Sequence, residues 1–179
     1  YRELEHAHLV PVETGADGDT MHLVVQTNQS RIVIGEAART RVFFAGEWQD
    51  VERRVVEEPG LIAQHLTFDV EAGRAVAIDK VVALYTSKDR ASIEPGVDAL
   101  HAVRGAPDCE ALFLAHQGSW SRLWRRCDLE YPADASTQDI LRLHVFHQLQ
   151  TTSPHTTDQD TSAPARGLHG EAYRGHIFW

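Results

Sequence analysis

Hydrophobic and polar positions alternate over the first half of the chain, and their period changes over the second. In residues 61–70 the even positions are Ile62, Gln64, Leu66, Phe68 and Val70, while the odd positions include His65, Thr67 and Asp69. A period of two with one apolar face predicts a half-buried strand. Residues 21–27, rich in Val and Leu, predict another strand, as do 31–35 and 41–44. Gly35-Glu36-Ala37-Ala38 predicts a break between the last two. Glu71-Ala72-Gly73-Arg74 predicts the loop of an antiparallel hairpin joining 61–70 to the apolar run 75–85. Ala16-Asp17-Gly18-Asp19 and Glu58-Pro59-Gly60 are further punctuation. Several strands at short spacing, with no long helix between them, predict an antiparallel β-sandwich.

The pattern shifts near residue 92. Glu94-Pro95-Gly96 ends the strand region, and residues 98–103 predict a short helix, interrupted by Gly105-Ala106-Pro107. From Asp108 the period is helical: Phe113, Trp120, Trp124 and Cys127 share a stripe, with Leu123 beside it. Tyr131-Pro132 closes that helix. Ser136-Thr137-Gln138-Asp139 has a capping-box pattern and predicts the start of a second helix, whose apolar positions are Ile140, Leu141, Val145 and Leu149. Residues 151–162 are a Thr- and Ser-rich stretch that predicts a loop. The expected fold class is thus mainly β with a helical C-terminal part.

Composition removes several function classes. Hydrophobic residues make up 42% and charged residues 24% of the 179, ordinary values for a globular chain. The net charge of −9 makes nucleic acid and anionic membrane poor partners. Apolar runs reach five residues, as in 81–85, against the roughly 20 a membrane-spanning helix needs. Two cysteines, Cys109 and Cys127, form no disulfide framework and no CxxC, which fits a reducing compartment and a cytoplasmic location. The chain begins at Tyr1 and stops on Ile177-Phe178-Trp179. An apolar end of this kind raises the expectation of a piece of a longer protein.

The candidate chemistry narrows to one stretch. Eleven histidines invite a metal reading, with His6 and His8 on one strand face and His144 and His147 on one helix face. A zinc site needs three or four ligands around one point, and neither pair has a third at motif spacing. Ordinary solvent-facing or hydrogen-bonded histidines are expected instead. There is no GxGxxG, no GxxxxGK[ST] and no GxSxG. The aromatic helix around Trp120 and Trp124 has the chemistry of a sugar platform, but such stripes more often pack a core. Residues 165–179 read Ala-Arg-Gly-Leu-His-Gly-Glu-Ala-Tyr-Arg-Gly-His-Ile-Phe-Trp, which as chemistry alone suits a structural loop packed under a domain as well as a sugar site. Glycines at 167, 170 and 175 permit close backbone approach, and Arg, His, Tyr and Trp offer hydroxyl-binding groups and sugar-stacking faces.

That stretch closely resembles the pattern ARGL-x-GE-x-Y-x-GH-x-FW of glycoside hydrolase family 65, which contains inverting phosphorylases of maltose, trehalose, kojibiose and related glucosides, and some hydrolases. Trp120-Ser121-Arg122-Leu123-Trp124 with Cys127-Asp128-Leu129-Glu130 resembles the family's W-x-x-x-W…D-I-x-I-E motif. Gln138, Arg142, Phe146 and their neighbours resemble its Q-x-x-x-R-x-x-x-F-x-L helix. Upstream, Gln29-Ser30 and Ala37-Ala38-Arg39-Thr40 are more loosely similar.

The resemblance implies an N-terminal β-sandwich over residues 1–92, a helical linker over 93–150, and the loop and first segment of an (α/α)6 catalytic barrel over 151–179. It implies that Trp179 lies in the pocket for the non-reducing glucose and that His176, Arg174 and Phe178 shape or border that pocket. It places no catalytic residue in the chain, because the general acid is a Glu far downstream, and the family's Asp-x-Glu continuation lies beyond Trp179. The implied reaction is inversion: the Glu protonates the glycosidic oxygen while phosphate, or in a hydrolase an activated water, attacks the anomeric carbon from the opposite face. The implied partners are an α-glucosyl disaccharide and inorganic phosphate, with no metal or organic cofactor, and homodimerisation is an open expectation. The competing reading is a non-catalytic carbohydrate-binding or dimerisation module.

Overall fold

A computed structural model describes residues 7–132 and 134–153. The chain divides into two compact units, the first running to Ala111 and the second beginning at Leu112.

The first unit holds seven strands: β1 (Leu9–Asp17), β2 (Thr20–Thr27), β3 (Val33–Phe44), β4 (Glu47–Gln49), β5 (Glu52–Glu58), β6 (Leu61–Thr67) and β7 (Val76–Thr86). All pairings are antiparallel. Strand β3 is the spine of a five-stranded sheet, flanked by β2 and β4 on one side and by β7 on the other, with β1 outside β2. Strands β5 and β6 form a separate two-stranded ribbon. The architecture is mainly antiparallel β followed by helices, as the periodicity predicts.

Two local expectations are corrected. The break at 35–38 does not exist, since β3 runs unbroken through Gly35-Glu36-Ala37-Ala38. Small residues there make room for a neighbour: a Cβ on Gly35 would run into the backbone of Pro95 and Gly96. The strand over 61–67 pairs with β5, not with β7, which pairs with β3. The hairpin turns at Pro59-Gly60, where Gly60 has φ +80°, the left-handed region that glycine favours. Strand β5 is hidden in the sequence because Glu52, Arg53, Arg54, Glu57 and Glu58 mask its two valines.

Side-chain hydrogen bonds from Arg53 and Gln64 tie the ribbon to the main sheet. The Arg53 guanidinium donates to the Gln64 side-chain oxygen at 3.3 Å and to the Thr40 carbonyl at 2.9 Å. Gln64 in turn donates to the Gly18 carbonyl at 3.1 Å.

Helix α1 (Pro95–Gly105) lies on the β3 face that carries Gly35 and Ala37. Proline at the start of the helix costs no hydrogen bond and presets φ. Pro95, Ala99 and Val103, spaced by four, are buried; Ala99 and Val103 pack on Ala37, with Ala83, Tyr85 and Leu100 around them. The other end of α1 is held by Arg39, only 5% exposed. Its guanidinium donates to the carbonyls of Val103 (2.8 Å), Ala106 (2.8 Å) and Pro107 (3.1 Å). A buried cation thereby satisfies the carbonyls that a helix end leaves unpaired and faces the negative pole of the helix dipole.

Helix α2 (Cys109–Cys127) begins in the first unit and continues into the second, and α3 (Ala135–Thr151) belongs to the second. Asp108 accepts the Ala111 N–H at 2.8 Å and so caps α2. The cap of α3 is Asp134, whose carboxylate accepts the Thr137 N–H at 2.7 Å; the expected cap, Ser136, lies inside the helix. Asp134 caps because its extended backbone aims the carboxylate at the N–H three residues on, whereas Ser136 already has helical backbone. No helix among the described residues is long and apolar enough to cross a membrane.

Candidate functional site

The chemistry-bearing motif at 165–179 lies outside the described residues, and with it Arg174, His176, Phe178 and Trp179. What the structure describes is the helical pair that leads to it. The Trp120 ring of α2 stands 5.1 Å from the Phe146 ring of α3, tilted by 39°. His116, one turn earlier, is edge-on to Trp120 at 6.1 Å. Trp120 and Trp124 are half-buried, and the Trp120 face is occupied in packing α2 on α3. This fits the packing role over the sugar platform.

Two polar residues of α3 fasten the segment between the helices. Arg142 makes a two-point contact with Asp128, from Nε to Oδ1 at 3.0 Å and from the guanidinium NH2 to Oδ2 at 2.8 Å. Gln138, one turn earlier, accepts the Tyr131 N–H at 2.6 Å and donates to the Leu129 carbonyl at 2.8 Å. The Arg142 bond holds the Asp128 carboxyl below its ordinary pKa, and the bonds from Thr137 do the same for the Asp134 cap. Gln138, Arg142 and Asp128 therefore act as a staple on the turn into α3. The signal for this role is present in the sequence as Gln and Arg four apart on one helix face, next to an acidic segment.

Apolar side chains on these helices remain uncovered. Neither helix has a buried residue. Phe113 (57%), Leu114 (61%), Ile140 and Leu143 are exposed.

Among the described residues no three His, Cys, Asp or Glu side chains converge as a metal site would require. His6 lies outside the described residues, and His8 and His144 are exposed. The His147 ring rests against Phe146 at 5.9 Å. Cys109 and Cys127 are both free thiols at the two ends of α2. Desolvation, then the hydrogen bond to Asp79 and its charge, raises the Cys109 thiol above its ordinary pKa.

Comparison of the sequence with known proteins points to one family. The family model described as glycosyl hydrolase family 65, N-terminal domain, matches residues 1–123. That of the glycosyl hydrolase family 65 central catalytic domain matches residues 142–179, which covers most of α3 and the motif. An uncharacterized glycosyl hydrolase of Mycobacterium tuberculosis is 37% identical over the whole of this chain, which spans 14% of that protein. A kojibiose phosphorylase of Halothermothrix orenii is 26% identical over 88% of this chain and 21% of its own length. A nigerose phosphorylase of Lachnoclostridium phytofermentans is 24% identical over 98% of this chain and 22% of its own length. The chain thus spans between one seventh and one quarter of the length of these relatives. With one family model over more than half of its length and a second over its end, the chain belongs to glycosyl hydrolase family 65.

Proposed function

We propose that this chain is the β-sheet domain, the linker helices and the entrance of the catalytic barrel of a longer enzyme, one that cleaves α-glucosyl disaccharides with inversion. The observation that carries the reading is the match of the family's central catalytic domain to residues 142–179, with Arg174, His176, Phe178 and Trp179 at the motif positions. The uncovered Phe113, Leu114, Ile140 and Leu143 support it, because apolar groups on two helices of this size ordinarily have a partner layer. The domain bounds that go with it are 1–92 for the sheet domain, 93–150 for the linker and 151–179 for the barrel entrance.

Phosphate is the proposed acceptor, on the strength of kojibiose and nigerose phosphorylases among the relatives. The glycosidic C–O bond breaks as phosphate oxygen bonds to the anomeric carbon, and an acid elsewhere in the longer protein protonates the departing sugar oxygen. Trp179 stacks on the non-reducing glucose, while Arg174, His176 and Phe178 shape its pocket. The 179 residues alone lack that acid and are inactive on this reading. The proposed location is the cytoplasm, supported by the two free thiols.

The first test is the mass of the native polypeptide in its source cells, detected by an antibody to this chain. A mass several-fold above 20.0 kDa is expected, and one near 20.0 kDa would contradict the proposal. In the longer enzyme, Trp179→Ala should lower kcat/KM for glucosyl disaccharides by about 100-fold, the loss expected when a stacking face in the substrate pocket goes. An unchanged value would remove Trp179 from the pocket.

A further inference from the structure

A shallow, largely open concavity of about 420 Å³ lies in the first unit, on the side of α1 that faces the loop after β7. Its volume falls in the range of about 300–1,000 Å³ typical of small-molecule sites. Tyr85 from β7, Arg90 and Ser92 from the loop, and Asp98 and His101 from α1 line it. Ala102 and Gly105 complete the α1 wall, and their small size leaves the concavity open. A Cβ on Gly105 would meet nothing within 4 Å, so the absence of a side chain there is not dictated by packing. Tyr85 is half-buried, with its ring against the Ala37–Ala99–Val103 core.

We propose that this cavity is an accessory binding site for a neutral saccharide of one or two hexose units. The lining mixes the groups that a ring of hydroxyls needs. Arg90 and His101 bring hydrogen-bonding groups to the wall, and Tyr85 offers sugar C–H groups the part of its side chain that the core leaves exposed. Asp98 accepts the Ser92 hydroxyl at 2.7 Å on Oδ2, which fixes its rotamer. A carboxylate has about four lone-pair sites, so capacity is left for a sugar hydroxyl. An anion such as phosphate is disfavoured, because the Asp98 carboxylate offsets the Arg90 guanidinium in the wall and the chain carries a net charge of −9. An apolar ligand is disfavoured by the two charged groups. The site is separate in sequence from residues 174–179, and it would bind sugar whether or not the longer protein is a phosphorylase.

The test is an amide NMR titration of the 179-residue chain with maltose, and separately with inorganic phosphate. Maltose should shift resonances at 85, 90–92, 98 and 101–105 with a Kd in the millimolar range, on the order of 1–10 mM. Asp98→Asn keeps an acceptor for Ser92 and removes the charged partner of the sugar. It should raise Kd about tenfold, as for the loss of one charge-assisted hydrogen bond. His101→Ala, an exposed position, should weaken binding without disturbing the rest of the spectrum, and it serves if Asp98→Asn fails to fold. No shift at these residues up to about 100 mM maltose, a concentration well above the expected Kd, would overturn the proposal. So would shifts confined to 174–179. Shifts at these residues with phosphate alone, made stronger by Asp98→Asn, would reassign the cavity to anions.

Discussion

Arg39 shows how one side chain joins sequence, packing and stability. It sits in the middle of β3, at a position that the sequence pattern assigns to no strand. Its guanidinium reaches past the core to the end of α1, 64–68 residues later in the chain. Replacing it by Leu would leave the Val103, Ala106 and Pro107 carbonyls without that partner and should destabilise the chain by about 3 kcal/mol in a urea melt. Arg39→Lys should recover only part of this, because an ammonium cannot span several carbonyls as the planar fork does. A loss below the error of the melt would show that water satisfies those carbonyls equally well. Cys109 makes a second residue-scale case. Its raised pKa keeps the thiol protonated at pH values where an ordinary thiol begins to ionise. Asp79→Asn removes the charge that helps raise it. Alkylation of Cys109 at about pH 8 should then speed up several-fold, in step with the larger thiolate fraction. Mass spectrometry of each cysteine would follow this, and an unchanged rate would leave burial as the whole cause.

At the scale of elements, the close approach of α1 to β3 is the joint that makes the first unit one body. Gly35→Ala puts a methyl into the backbone of Pro95 and Gly96. It should cost about 3 kcal/mol of stability by calorimetry, an overpacking loss against rigid backbone. The α2–α3 turn responds to pH instead. Asp128 and Asp134 both have folded pKa values below the ordinary carboxyl value. Their contribution is therefore complete above the unfolded pKa, about 4, and is lost as pH falls through the folded values. The helical circular-dichroism signal should decline with acid below about pH 4, and the Asp128→Asn, Asp134→Asn double variant should show less of that decline. An identical acid profile would remove both carboxyls from the account. Legibility also differs by element. The strands with apolar alternation and the helix from Asp108 are plain in the sequence. Strand β5 is not, because its charged residues carry no hydrophobic period. Nor is the continuity of β3, because Gly and Ala score as breakers until the helix above them is known. The partner of β6 could not be read from its own pattern, since pairing is decided by the Pro59-Gly60 turn and by long-range contacts. The Asp128–Arg142 and Gln138 staple has the right residue types at the right spacing, yet its role becomes visible only when the two helices are side by side.

At the scale of the whole molecule, family membership and catalytic activity rest on different grounds. Membership follows from two family models that between them cover both ends of the chain. Activity rests on the proposal that the chain is part of a longer enzyme, in which residues 165–179 supply one wall of the glucose pocket. That motif was legible in the sequence through its match to a family pattern, since Arg, His, Tyr and Trp between glycines suit a structural loop as well as a sugar pocket. The acid and the phosphate site that the proposed inversion needs have no counterpart motif in these 179 residues, so they are not legible here. The central claim is an inverting phosphorolysis of α-glucosyl disaccharides. The measurement that tests it most directly is proton NMR of the full-length protein acting on kojibiose, nigerose, maltose and trehalose, with and without inorganic phosphate. The account predicts β-glucose 1-phosphate, formed only when phosphate is present and in equal amount to the released sugar. Free glucose at the same rate with and without phosphate, α-glucose 1-phosphate, or no turnover of any of these substrates would contradict it.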